Sequence, residues 1–152
     1  MVDSNNSEAR AGPPIPDEFD AAEIDAIAEF LGKQGGLGLL IELGDEPRRF
    51  VVLKEVMGAS PATIRKRLEE ARELTLVDDA TYNSDGHKLH PLTAKGEVIY
   101  DEIRMTDLPR IQRRIWGLQD ELTEEISALE EEFGTRTTEL NEEFARKLAQ
   151  SL

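Results

Sequence analysis

Nine basic side chains fall between positions 48 and 95 (Arg48, Arg49, Lys54, Arg65, Lys66, Arg67, Arg72, Lys88 and Lys95). The same stretch holds seven acids (Glu55, Glu69, Glu70, Glu73, Asp78, Asp79 and Asp85) and so nets +2. The whole chain carries −14, which leaves −16 on the remainder. Guanidinium and ammonium groups kept together in a chain otherwise driven acidic can do one thing well, which is to meet phosphate. Catalysis has little to work with. The two histidines, His87 and His90, are three apart on an expected strand and therefore on opposite faces, which does not suit a shared metal. Carboxylates occur as helix-surface runs such as Glu130-Glu131-Glu132, and no nucleophile, base and orienting group come together. The expectation is a protein that is not an enzyme and needs no cofactor or metal.

These cations need elements to hold them. Ser60-Pro61 is a strong helix start, with serine as N-cap and proline preset at the first helical position. From Pro61 to about Leu74, Ile64, Leu68 and Ala71 share one face at 100° per residue. Ala62, Thr63, Lys66, Glu70 and Glu73 point away from it, with Arg65 and Arg67 flanking. The N-terminal half of the outer face is thus basic and polar. A preceding helix is expected to open at Pro47, carry Phe50, Val51, Leu53 and Val56, and stop at Gly58. Two helices joined across Gly58-Ala59 have helix-turn-helix spacing. The N-terminal residues of the second helix are the ones that reach base edges in such a motif.

After Leu74 the pattern turns extended. Leu76-Val77 and Thr81-Tyr82 suggest a strand, Asn83-Ser84-Asp85-Gly86 a turn, and His87 to Leu92 the returning strand. Thr93 caps a further helix from Ala94 to about Met105, with Val98, Ile99 and Ile103 inward. A helix-turn-helix followed by a hairpin is a winged helix, so the expected fold class is mainly α with a small β-hairpin wing (α+β). Upstream, Asp20 is a candidate N-cap for a helix bearing Ile24, Ile27, Ala28 and Leu31 as far as Gly32. The glycines at 32, 35, 36 and 38 lack the Gly-Lys-Ser/Thr ending of a phosphate loop and read as a helix break. A short apolar helix with Leu39, Leu40, Ile41 and Leu43 follows. Residues 1–19, rich in proline and polar side chains, read as a disordered arm, and 20–105 as the DNA-binding domain.

The remainder, 106–152, reads as one long amphipathic helix. Leu108, Ile111, Ile115, Leu118, Leu122, Ile126, Leu129, Phe133, Leu140, Phe144 and Leu148 recur with a mean step of about 3.6 residues, Thr137 filling the one gap. A left-handed coiled coil wants 3.5, so the helix is nearly straight. Unbroken, it would be roughly 65 Å long at about 1.5 Å per residue. A domain of this size cannot cover such a stripe, and a second copy of the chain is the economical partner, making a homodimer. Gly134-Thr135-Arg136-Thr137-Thr138 has low helix propensity and is a candidate hinge at which the helix instead folds back.

Several residues carry a family resemblance. Arg48-Arg49-Phe50-Val51-Val52-Leu53, Gly58-Ala59-Ser60, Arg67-Leu68 and Leu74-Thr75-Leu76-Val77 resemble winged-helix transcription regulators of the HxlR kind. Leu92-Thr93-Ala94-Lys95-Gly96 resembles the end of the wing in HxlR, PadR and MarR-type regulators. The resemblance covers about residues 36 to 104. It implies a homodimeric, sequence-specific regulator with double-stranded DNA as partner and the helix from Pro61 in the major groove. It places Arg48 and Arg49 at the start of the second helix of the domain and matches Ser60 to Arg67 to the recognition helix. The DNA-contacting set becomes Arg48, Arg49, Ser60, Thr63, Arg65, Lys66 and Arg67, with His87 and Lys88 on the wing. Thr75 stands where glycine is usual, Asp79 where a base is usual and His90 where tyrosine is common, and acidic Asp78, Asp79 and Asp85 make the wing a poor phosphate binder. The alternative is a winged-helix module that binds another protein through the long helix without reading DNA.

Composition sets the setting. There is no apolar run of membrane-spanning length, no signal-peptide grammar and no cysteine, which points to a cytoplasmic protein without disulfides. Dispersed acids, twelve arginines against six lysines and the absence of cysteine resemble proteins of salt-loving archaea. At 1 M salt the Debye length is about 3 Å, so a charge of −14 barely repels DNA there. Nothing in the sequence names an effector ligand.

Overall fold

The structure is a computed structural model that describes residues 18–152; the expected arm at 1–19 lies outside the described residues except for its last two. Two compact units divide near residue 112.

In the first unit, α1 (Ala21–Gly32) starts where the Asp20 carboxylate accepts the Glu23 N–H at 2.7 Å, as an N-cap should. Its buried side chains are Ile27 and Phe30, while Ile24 lies exposed. The glycine-rich segment is a helix break, and α2 (Gly36–Leu43) follows it. Leu39, Leu40, Ile41 and Leu43 are all buried, so α2 is apolar around most of its circumference, the pattern of an enclosed helix. It packs against α1, α3 (Phe50–Met57), α4 (Pro61–Glu73) and α5 (Ala94–Arg104). Each such leucine or isoleucine withdrawn from water contributes about 1.5–3 kcal/mol.

The first helix of the motif begins three residues later than expected. Arg48 does not join it, because its backbone pairs with His90: the His90 N–H donates to the Arg48 carbonyl at 2.8 Å and the Arg48 N–H to the His90 carbonyl at 3.4 Å. That pairing holds Arg48 extended, and α3 starts only after Arg49, its N-cap residue. Gly58, at φ 63, supplies the left-handed residue that ends α3 and turns the chain toward α4. Ser60 Oγ accepts the Thr63 N–H at 3.1 Å with Pro61 at the first helical position, so α4 opens as its sequence dictates. Ile64, Leu68 and Ala71 are its buried face.

A Schellman arrangement closes α4: the Leu76 N–H donates to the Ala71 carbonyl at 2.8 Å and the Thr75 N–H to the Arg72 carbonyl at 2.9 Å. The motif demands a left-handed residue, and Thr75 takes it at φ 58, the one non-glycine with positive φ among the described residues. The wing is shorter than its alternation suggests. Strands β1 (Thr81–Tyr82) and β2 (Lys88–Leu89) pair antiparallel, with Thr81 opposite Leu89 and Tyr82 opposite Lys88. Leu76-Val77 is not a strand, and Val77 contributes a single bridge to Leu92. Pro91 has no N–H to donate, so the ladder is interrupted between the two pairings. Asn83 and Gly86 (φ 80) make the turn.

Thr93 Oγ1 accepts the Gly96 N–H at 3.0 Å and opens α5. Gly96 is required by proximity: a Cβ there would lie 2.1 Å from the Leu76 carbonyl oxygen. On α5 the inward side chains are Tyr100 and Ile103, with Val98 half exposed rather than inward. Two helices, a turn, a hairpin and a closing helix make this unit a winged helix-turn-helix, and the class is mainly α with a small β-hairpin.

A long helical region follows. Helix α6 (Leu108–Thr135) is separated from α7 (Thr137–Ser151) by Arg136 alone, at φ −115 and ψ 24. Hydrogen bonding continues across the break, from the Arg136 N–H to Glu132 and from the Leu140 N–H to Arg136. The Thr137 hydroxyl bonds back to the Phe133 carbonyl at 3.1 Å, the competition that bends helices at threonine. Every residue of the stripe named above, from Leu108 to Leu148 and including Thr137, is exposed in the single chain. Among the described residues no helix is long and apolar enough to cross a membrane.

Candidate nucleic-acid interface

Helix α4 carries the candidate surface. With Ile64, Leu68 and Ala71 turned into the core, the helical period leaves Ala62, Arg65, Lys66, Glu69 and Glu73 exposed. The basic pair lies in the N-terminal half and the acids toward the C-terminal half. Ser60 and Thr63 sit at the opening of the helix, their side-chain oxygens 2.9 Å apart. The Arg65 guanidinium lies over the Phe50 ring, 5.0 Å from its centre, which ties the start of α3 to the outer face of α4.

The nine cations of the basic stretch divide into two groups. Four are engaged within the fold. Arg48 donates to the Glu42 carbonyl at 3.2 Å and pairs with Glu46 at 2.7 Å. Arg67 donates through Nε to the Gln34 carbonyl at 2.7 Å and pairs with Glu70, so its side chain is only 12% exposed. Lys95 is clasped by both Glu23 carboxylate oxygens at 2.9 Å, by the Glu18 carbonyl at 3.0 Å and by the Phe19 ring. Arg72 reaches Nδ1 of His90 at 2.9 Å. The other five, Arg49, Lys54, Arg65, Lys66 and Lys88, are exposed and make no ion pair among the described residues.

The structure therefore brings Ser60, Thr63, Arg65 and Lys66 together at one end of α4. Lys88 and His87 stand exposed on the wing and Arg49 is exposed at the start of α3. Arg48 and Arg67 are part of the scaffold. Their side chains found acids six, two and three residues away, partners that a reading of charge by segment does not register. Glu70, held by Lys33 at 2.6 Å and by Arg67, stays ionised below the ordinary carboxylate range for that reason.

Two residues outside the expected set complete the surroundings. His90 is 5% exposed, and burial, reinforced by the charges of Arg72 and Lys88, holds its imidazole below the ordinary pKa. Arginine only donates, so Nδ1 is the acceptor and the neutral ring carries its proton on Nε2. Arg72 follows Arg65 by seven residues, two helical turns on the same face, and that spacing is the signal that could have found it. Together with Phe50, Leu68 and Lys88 they line a cavity of about 410 Å³ between α4 and β2.

No family model and no curated protein sequence matches the chain. Among solved structures the chain is similar to HlyU from Vibrio cholerae, at 15% identity over 58% of this chain and 95% of that one, with a TM-score of 0.49. It is similar as well to a double mutant of ZitR from Lactococcus lactis in its apo form, at 20% identity over 88% and 98% of the two chains, TM-score 0.47. A third is the homodimeric winged helix-turn-helix DNA-binding domain of Mb0332 from Mycobacterium bovis, at 14% identity over 73% and 95%, TM-score 0.43.

Proposed function

We propose that the protein is a sequence-specific, DNA-binding transcription regulator that acts as a homodimer. Helix α4 enters the major groove with Thr63 and Lys66 nearest the base edges. Arg49, Arg65 and Lys88 meet phosphate, with Ser60 and His87 at the margins of the contact. Arg48 and Arg67 act one step back, holding α2, α3 and α4 in register. The observation that carries this reading is the exposed, unpaired Arg65-Lys66 pair at the N-terminal end of α4 in a chain of net charge −14. An acidic protein that leaves cations unpaired at the end of the helix able to enter a groove has a polyanion as the simplest partner.

The homodimer rests on the exposed stripe from Leu108 to Phe144 and on to Leu148, whose apolar residues need a partner of matching period. Dispersed acids and scarce lysine support a protein working in strong salt. There the long-range field of the basic face is screened and the placement of direct contacts decides affinity. Selection of duplexes from a random pool by the intact chain tests the reading. Enrichment of an inverted repeat that Lys66→Ala abolishes supports it, and recovery of unenriched sequence counts against it. The same stripe fits a helix of another protein, so a 1:1 heteromeric complex with no selected duplex would favour the interaction-module reading instead.

A further inference from the structure

We propose that the cavity between α4 and β2 binds the phosphate group of a small phosphate monoester. Its volume, about 410 Å³, lies within the range of small-molecule sites. Phe50 and Leu68 supply an apolar wall, while Arg65, Arg72 and Lys88 face the space against the single carboxylate of Glu69. That leaves two net positive charges in one cavity of a chain that carries 32 acids.

Arg72 is the telling member. It makes no carboxylate pair among the described residues, and the partner it does have, Nδ1 of His90, is a neutral acceptor. A half-buried guanidinium satisfied only by an imidazole retains its full charge for a ligand. Two guanidinium forks and an ammonium match the charge and the oxygen geometry of a phosphate dianion better than those of a carboxylate monoanion. The apolar wall would take a compact ring or alkyl group esterified to it.

A duplex phosphodiester offers the same oxygens but one charge. It would engage Arg65 and Lys88, both exposed, rather than Arg72 beside buried His90. Ligand binding is therefore independent of the regulator reading. Only its consequence rests on that reading: a monoester held by Arg65 and Lys88 withdraws two phosphate contacts and releases DNA.

Calorimetric titration of the full, folded chain with phenyl phosphate in potassium salt tests the site. One phenyl phosphate per chain is expected, bound at least about tenfold more tightly than inorganic phosphate. Arg72→Met should weaken phenyl phosphate by about tenfold or more, with Lys147→Met on α7 as the unaffected control. Should Arg72→Met fail to fold, Arg72→Lys and Phe50→Leu serve, each expected to weaken phenyl phosphate several-fold with folding checked by circular dichroism. Equal affinity in variant and parent, no saturable binding, or no preference over inorganic phosphate overturns the proposal. A duplex arm separates the two ideas. Duplex binding without phenyl phosphate binding overturns the site and leaves the regulator reading standing. Phenyl phosphate binding without duplex binding does the reverse.

Discussion

Replacing Thr75 by glycine should stabilise this protein, although it removes a side chain and a hydrogen bond. Thr75 sits at φ 58, the left-handed conformation that the Schellman closure of α4 imposes. For a β-branched residue that conformation costs about 1–3 kcal/mol. The hydroxyl recovers part of this by donating to the Leu74 carbonyl at 2.6 Å, a contact of about 0.5–1 kcal/mol net at an exposed position. Glycine relieves the strain but adds roughly 0.5–1 kcal/mol of conformational entropy to the unfolded chain. The balance, from about 2 kcal/mol of strain, favours Thr75→Gly by about 0–1 kcal/mol, with a midpoint of about 0.5 kcal/mol. For a chain of this length that midpoint raises Tm by about 1–2 °C. Thermal melts by circular dichroism at one fixed chain concentration read it, since the proposed dimer would make Tm depend on concentration. Thr75→Ala, which keeps the strain and loses the hydrogen bond, should melt below the parent. A glycine variant that melts lower than the alanine variant would rule out relief of strain at φ 58 as the dominant effect, and would mean that the Thr75 side chain does more for the link between α4 and the wing than strain a cap.

Three further outcomes follow from the same geometry. Stability should fall as pH drops below about 6.5, because an unfolded histidine takes up its proton there while buried His90 does so only at lower pH. The His90 contribution is complete above about pH 6.5 and lost below it at up to about 1.4 kcal/mol per pH unit, a slope that His90→Gln should flatten in urea titrations between about pH 5 and 7, where the Glu70 contribution is fully present and does not change. Lys66→Ala should cost about 1–3 kcal/mol of binding to a selected duplex without moving Tm, whereas Arg67→Ala should lower Tm, since Arg67 ties α4 to Gln34 and Glu70; equal melts for the two would show that Arg67 is not structural. Leu122→Glu with Ile126→Glu should give a folded monomer by sedimentation if the stripe is the dimer surface, and an unchanged mass would remove it from that role.

Much of the architecture was written in local chemistry. Asp20, Ser60 and Thr93 cap the helices whose starts they mark, because an N-cap needs only one side chain and the backbone three residues ahead. Ile64, Leu68 and Ala71 fix the rotation of α4 in the same local way. What was not legible depends on pairings distant in the chain. Arg48 leaves the helix that Pro47 was expected to open because His90, 42 residues on, takes its backbone. The strand expected at Leu76-Val77 reduces to one bridge because Pro91 interrupts the partner it would need. On the candidate interface, segment charge located the basic end of α4. It could not separate free Arg65 and Lys66 from Arg67, whose partner carbonyl at Gln34 lies 33 residues away.

Whether α4 reads a specific duplex, as proposed, is measured by selection from a random DNA pool with the intact chain in strong potassium salt. The expected product is an enriched inverted repeat with half-site centres about one helical turn, roughly 34 Å, apart, lost in Lys66→Ala and retained in Thr75→Gly. A folded chain that enriches no sequence at either high or low salt would contradict it.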